Sequence, residues 1–165
     1  MSALSKSSLA ITLTATQRNL ILAEAEAAYP DECCGLLVGR GGETRNVTVS
    51  RVVPAANVAP DDPGHSVRDR FEVDPQARFD LERELRAGPD AVIGHYHSHP
   101  DHPAEPSARD LAKAFEPSLI WLITGVMSGR AENLRAFRLA DGGGGFDEVV
   151  LEIADHAIPV QSPDA

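Results

Sequence analysis

Cysteine is nearly absent from this chain: two residues among 165, adjacent at Cys33 and Cys34. Neighbouring cysteines pair only under strain, so no disulfide framework is available, and a reduced, cytoplasmic setting is expected. Long apolar runs are missing too. The longest, Leu119 to Val126, is too short to cross a bilayer as a helix, and Met1 to Ala10 holds one lysine and no apolar core of the kind a secretory signal needs. Positive charge is in deficit, with 15 Lys and Arg against 25 Asp and Glu and a net charge of −10. That balance speaks against non-specific binding to nucleic acid or anionic membranes, although a local patch can oppose the net sign. No internal repeat and no linker divides the chain. A single domain over 9–154 is expected, with a frayed start (1–8) and a loose tail (155–165).

Histidine, by contrast, is concentrated. Four of the six lie in His95-Tyr-His-Ser-His-Pro-Asp-His102, and a proline-rich turn then leads to Ser107 and Asp110. Ala91-Val-Ile-Gly94 reads as an apolar strand. If the strand continues through 99, residues 95, 97 and 99 point to one face and Tyr96 and Ser98 to the other. Two imidazoles at this spacing can converge on one metal ion, and Asp110, brought back by a turn, can add a carboxylate. Three protein ligands with a fourth position open is the arrangement of a catalytic zinc rather than a structural one. On spacing alone His95, His97 and His99 stand as equal candidates. Ser107-Ala-Arg-Asp110 also has the outline of a capping box, a purely structural reading. The two readings are compatible, because a helix N-terminus holds a hydroxyl and a carboxylate rigidly.

The remaining pattern is mixed α/β. Ser8 to Thr14 alternates as a strand with Leu9, Ile11 and Leu13 on one face. A helix capped by Thr14 or Thr16 runs to about Tyr29, with Leu20, Ile21, Ala27 and Ala28 on its apolar side, and Pro30-Asp31 stops it. Glu32 to Arg40 enters a strand apolar on both faces, and a Gly41-Gly42 turn pairs it with a strand over Thr44 to Val53. Pro54 to Asp69 is a long irregular stretch, of a length that is usually functional. Arg70 to Asp74 reads as a short strand, and Asp74-Pro75 starts a helix to Arg86 with Phe79, Leu81 and Leu85. After the histidines come a helix from Ser107 to about Phe115, an apolar strand over Ser118 to Val126 with the only tryptophan, and two alternating strands, Asn133 to Leu139 and Phe146 to Ile153. This order predicts a single mixed, largely antiparallel curved sheet flanked by helices, not a doubly wound one.

His97-Ser-His99-Pro, Ser107 and Asp110, at these spacings, resemble the signature of the JAMM (MPN-plus) metalloprotease family. That family also requires a glutamate far upstream, and Glu32 before Cys33-Cys34-Gly35-Leu36-Leu37 stands in that context. The resemblance runs from about residue 10 to about 140 and is closest to the small single-domain prokaryotic members, where Asn57, the Arg70-Phe71 pair and Pro106 have counterparts. It implies a JAMM/MPN-like fold with cytidine-deaminase-like layering. It also implies one zinc ion held by His97, His99 and Asp110, with a water as fourth ligand hydrogen-bonded to Glu32. Glu32 would carry the proton and Ser107 would donate to the oxyanion, in hydrolysis of an amide or isopeptide bond. His95 is then demoted to a packed residue. The implied substrate is the C-terminal Gly-Gly tail of a ubiquitin-like or sulfur-carrier protein, with the 54–69 loop and Arg70 as candidates for tail contact; a homodimer is left open. Rival readings are a DNA-repair-associated JAMM-like protein, a phage-tail-type hydrolase and a non-catalytic MPN-type scaffold. The Glu32 context and acidic charge oppose the first. The second usually carries a further domain, and the third usually lacks the ligands. Cys33 and Cys34 are expected to be buried and inert, and His65, His102 and His156 to have no role.

Overall fold

The computed structural model describes residues 9–41 and 46–155. The expected frayed start, the Gly42 half of the hairpin turn with Thr44, and the tail beyond Asp155 with His156 lie outside the described residues. The elements are β1 (Ala10–Thr14), α1 (Ala15–Ala28), β2 (Cys34–Arg40), β3 (Asn46–Ala55), α2 (Pro75–Leu85), β4 (Ala91–Pro100), α3 (Ala108–Ala112), β5 (Ile120–Met127), β6 (Arg130–Leu139) and β7 (Phe146–Ala154). The strands run in the order β1-β3-β2-β4-β5-β6-β7, and β7 pairs back onto β1. Four pairings are antiparallel, β2 with β3 and β4 and β6 with β5 and β7. Three are parallel: β1 with β3, β1 with β7, and β4 with β5. The mixed α/β sheet expected from the sequence therefore forms, and its curvature carries through to closure. Five residues of alternating pattern in β1 hold no information about which strands lie beside it.

β4 sits between β2 and β5, and its pleat divides two clusters of side chains. On one side the fully buried Tyr96 joins Ile11, Leu13, Ile21, Leu37 and Leu122 in the main core. Its hydroxyl donates to Glu24 Oε2 of α1 at 2.5 Å. Opposite Tyr96 on β2 lies Gly35, where an added Cβ would stand 2.3 Å from the ring, so the phenol occupies space that only glycine leaves. On the other side Phe71, Trp121, Ile123 and Phe137 form a second cluster with Cys34. The histidines emerge among these rings.

The helices depart from the sequence pattern in detail. Thr14 caps α1 in a capping box with Gln17, but the buried line is Ile21 and Ala25, while Leu20 is 43% exposed. Alanine and leucine occupy almost every turn of α1, so the pattern does not set its rotation; burial of Ile21 and Ala25 in the core and the bond from Tyr96 to Glu24 do. In α2, capped by Asp74 with Pro75 at its first position, Leu81 is buried and Phe79 is 52% exposed. α3 stops at Ala112 rather than Phe115, because the Lys113 N–H folds back onto the carbonyls of Asp110 and Leu111. Pro117 prevents resumption of the helix, and Phe115 is left 82% exposed. Arg70 to Asp74 is no strand: it makes one bridge, Val73 with Asn57, since Pro75 starts α2 at once. Among the described residues no helix is long and apolar enough to cross a membrane.

Candidate metal centre

The alternation of β4 brings His97 and His99 to one face, fully buried and 7% exposed respectively. The chain then turns at Asp101, whose left-handed backbone (φ 55°) is supported by its amide donating to Val126 O and by its carboxylate accepting from Ser128 N and the Tyr29 hydroxyl. Ser107 caps α3, and both halves of the capping box are present: Asp110 N donates to Ser107 Oγ at 3.0 Å and Ser107 N donates to Asp110 Oδ2 at 2.8 Å. This locks the Asp110 carboxylate toward the strand. Its oxygens lie 3.4 Å from His97 Nε2 and 3.3 Å from His99 Nε2, and the two Nε2 atoms are 2.9 Å apart. Ligand atoms of His97, His99 and Asp110 thus all fall within 4.8 Å of one another, and all three residues are buried.

Three groups rich in lone pairs facing one another without water are unfavourable unless a cation lies between them. The His99 Nδ1–H donates to Pro103 O at 3.0 Å, which leaves the Nε2 lone pair aimed at the cluster. Tetrahedral bonds of about 2.0–2.1 Å give ligand edges of roughly 3.3–3.4 Å. The carboxylate–imidazole distances are of that order, each to a different oxygen of Asp110 (Oδ1 for His97, Oδ2 for His99), and the imidazole pair is closer. His97 Nδ1 is buried without a partner, a departure from the usual hydrogen-bonded ligand; its ring is fixed instead by stacking on Phe71 at 4.1 Å. The donor set fits a divalent metal. Burial opposes ionisation of Asp110, but the charges and hydrogen bonds of His97 and His99 and the Ser107 amide outweigh it and hold the carboxyl well below its usual range. For His99, burial is outweighed by Asp110 and Glu32 and the titration moves up; for His97 burial prevails and it moves down.

Glu32 arrives from the loop between α1 and β2. Its amide donates to Val67 O at 2.7 Å and its carbonyl accepts from Asn57 Nδ2 at 3.1 Å, while its carboxylate Oε2 is buried with no partner. Burial pushes this carboxyl up to about 8; nearby His99 opposes the rise, and Asp110 and Asp69 add to it. A cation at the triad would draw it back down. Glu32, His99 and Ser107 line one cavity of about 350 Å³, rimmed by Asp69 and Arg109. The Glu32 carboxylate, the His99 imidazole and the Ser107 hydroxyl therefore face the same space, open to solvent at Ser107.

His95 does not join them. It packs edge-on against Trp121 at 4.2 Å on the wall of a separate apolar cavity of about 480 Å³, and burial lowers its titration to about 3, so it is neutral. Cys33 and Cys34 are buried, and burial pushes both thiols up to about 12, which makes them poor nucleophiles. His102 is exposed at the turn. His65, expected to have no role, contacts Asp69 and Arg109 at the rim. Arg70 is tied to Asp62 within the loop and only 13% of its side chain is exposed, so it braces the loop rather than offering a free cation. Asn57, Phe71 and Asp69 were not assigned to the site by spacing, because residues that hold a loop or stack on a ligand leave no fixed interval in sequence.

The family described as prokaryotic homologs of the JAB domain matches residues 14–140, most of the chain. The chain belongs to this family. Desampylase of Haloferax volcanii is 32% identical over 117 residues, covering 68% of this chain and 78% of that protein. CysO-cysteine peptidase of Mycobacterium tuberculosis is 28% identical over 124 residues, covering 75% and 79%. The solution structure of protein DSY2949 from Desulfitobacterium hafniense superposes with a TM-score of 0.73 at 33% identity, covering 88% of this chain and 94% of that one. The JAMM resemblance read from the motif thus rests on the family's own scaffold, and the JAB protein described here is a JAMM-type hydrolase.

Proposed function

We propose that this JAB protein binds one zinc ion through His97, His99 and Asp110 and hydrolyses amide or isopeptide bonds at the C-terminal tail of a ubiquitin-like or sulfur-carrier protein, in the cytoplasm. The observation that carries this is the convergence of three buried ligands with an unpartnered carboxylate, Glu32, on one cavity. Bound there, zinc would polarise the scissile carbonyl and lower the pKa of water to ~7. The chain's own residues supply the rest. Glu32 takes the proton of the attacking water and passes it to the leaving amine, a role suited to a carboxylate that faces the cavity with no partner of its own. Ser107 Oγ already accepts from the Asp110 amide, so its hydroxyl hydrogen is free to donate to the developing oxyanion. Phe71 holds the His97 ring by stacking on it. No covalent intermediate is required.

The substrate assignment draws on the relatives named desampylase and CysO-cysteine peptidase. Ser107→Ala is expected to retain the metal and slow turnover by about 10²-fold, the cost of one oxyanion donor, with about 1 kcal/mol of stability lost with the cap. Steady-state kinetics beside metal analysis would show it; wild-type kcat in this variant would remove Ser107 from the mechanism. The reading as a whole is tested by incubating the zinc-loaded protein with ubiquitin-like carriers that bear C-terminal extensions and measuring intact mass. Shortened carriers that disappear after chelation are expected. Absence of bound zinc would favour the scaffold reading, and zinc without carrier cleavage would favour the repair-associated one.

A further inference from the structure

We propose that Asn57 is a positioning residue that sets the place of Glu32 and ties it to the 56–73 loop; this rests on Glu32 being the proton carrier. Asn57 lies just beyond β3, and its amide makes four hydrogen bonds. Nδ2 donates to Glu32 O at 3.1 Å and to Arg70 O at 3.0 Å, while Oδ1 accepts from Ala59 N and Glu72 N, both at 3.1 Å. A side-chain amide has two N–H donors and two acceptor lone pairs, and here all four are used. The orientation of the group is therefore unique, since a flip would set N–H against N–H twice over.

What this amide holds is unusual for a structural asparagine. The carboxylate of Glu32 has no partner at Oε2, so nothing at that end fixes it. Its place is set by its main chain: the Glu32 amide bonds to Val67 O, the carbonyl to Asn57, and the following Cys33 N donates to Ser98 Oγ at 2.8 Å. Two of these three partners, Asn57 and Val67, belong to the loop. Both limbs of the loop, 57–59 and 70–72, hang on the same amide that holds Glu32. Displacement of the loop, by substrate or by mutation, reaches Glu32 through the Asn57 side chain and the main-chain bond to Val67.

The two halves of the amide can be separated. Asn57→Asp keeps an acceptor for Ala59 and Glu72 and loses both donors, including the bond to Glu32. It is expected to bind zinc normally, to keep its KM within about threefold and to lose kcat about 10- to 100-fold, the scale seen when a partner of a catalytic ligand is removed. In the Glu32→Gln background the same change should cost less than about twofold, because a residue that acts through Glu32 has nothing left to position. Equal losses in the two backgrounds would overturn the proposal. Residue-resolved amide exchange on the zinc-loaded protein reads the same point without substrate. Asn57→Asp should speed exchange at Glu32 while Ala59 and Glu72 stay protected; the reverse would make Asn57 a loop brace only. Should Asn57→Asp not fold, Asn57→Gln, which keeps donors and acceptor on a longer stem, is expected to retain more kcat than Asn57→Ala, and equality of those two would overturn the proposal. If the wild type cleaves no carrier, the exchange result still stands on its own.

Discussion

Glu32→Gln is expected to leave one metal ion bound per chain and to reduce hydrolysis by about 10²- to 10⁴-fold, the range spanned by general acid–base catalysis. Glutamine has nearly the shape of glutamate and can sit on the same main-chain bonds to Val67 and Asn57. It cannot accept and return a proton. The ligand atoms of His97, His99 and Asp110 are untouched, so loss of activity with retained metal would isolate the proton transfer; full activity would show that another group moves the proton. Stability gives an independent reading on the metal-free protein. Burial raises the Glu32 carboxyl to about 8 from an ordinary value of 4.5. Between those values the folded state holds a proton that the unfolded chain has released, so the wild type loses stability as pH rises through that window and levels off above it. The Gln variant lacks this loss. Its thermal midpoint relative to the wild type should climb from pH 4.5 to pH 8 and then stay constant.

Asp110→Ala has the second large effect. It removes the only carboxylate of the triad and the acceptor of the Ser107 amide together. Zinc affinity is expected to fall by more than ~10²-fold, beyond what loss of an outer-shell partner costs, and competition against a chromophoric chelator would measure it. Folding should also weaken by about 1 kcal/mol through the broken capping box. Asp110→Asn separates the two effects, because its carbonyl oxygen still accepts from Ser107 N while the negative charge is gone. With the cap kept, the Asn variant should melt above the Ala variant in the metal-free state, though below the wild type because the charge that His97 and His99 favour is gone, and it should bind zinc poorly. Metal affinity unchanged in both variants would place the ion elsewhere.

Much of this was written in the chain. The alternation of His95, His97 and His99 required a strand, and β4 runs through all three. Thr14, Asp74 and Ser107 cap helices because a short oxygen-bearing side chain followed by helical residues does so locally. These are short-range effects, and short-range sequence carries them. The rotation of α1, the exposure of Phe79 and the early end of α3 were not legible, because each depends on what the helix packs against. The parallel partners of β1 were hidden for the same reason.

His95 shows the division most clearly. On spacing it is the equal of His97 and His99, and it shares their face of β4. Only the placement of Phe71 and Trp121 around it, and of α3 further along the strand, sends it into an apolar cavity and leaves the other two with Asp110. Asn57 is the converse, a residue of no distinctive spacing that tertiary structure places on Glu32 and both limbs of the loop. The sequence by itself determined which residue types were present and which local elements would carry them, since capping, alternation and turn chemistry act over a few residues. Which of them meet was decided by the closed sheet, because convergence of residues 32, 57, 97 and 110 is a matter of packing across long separations.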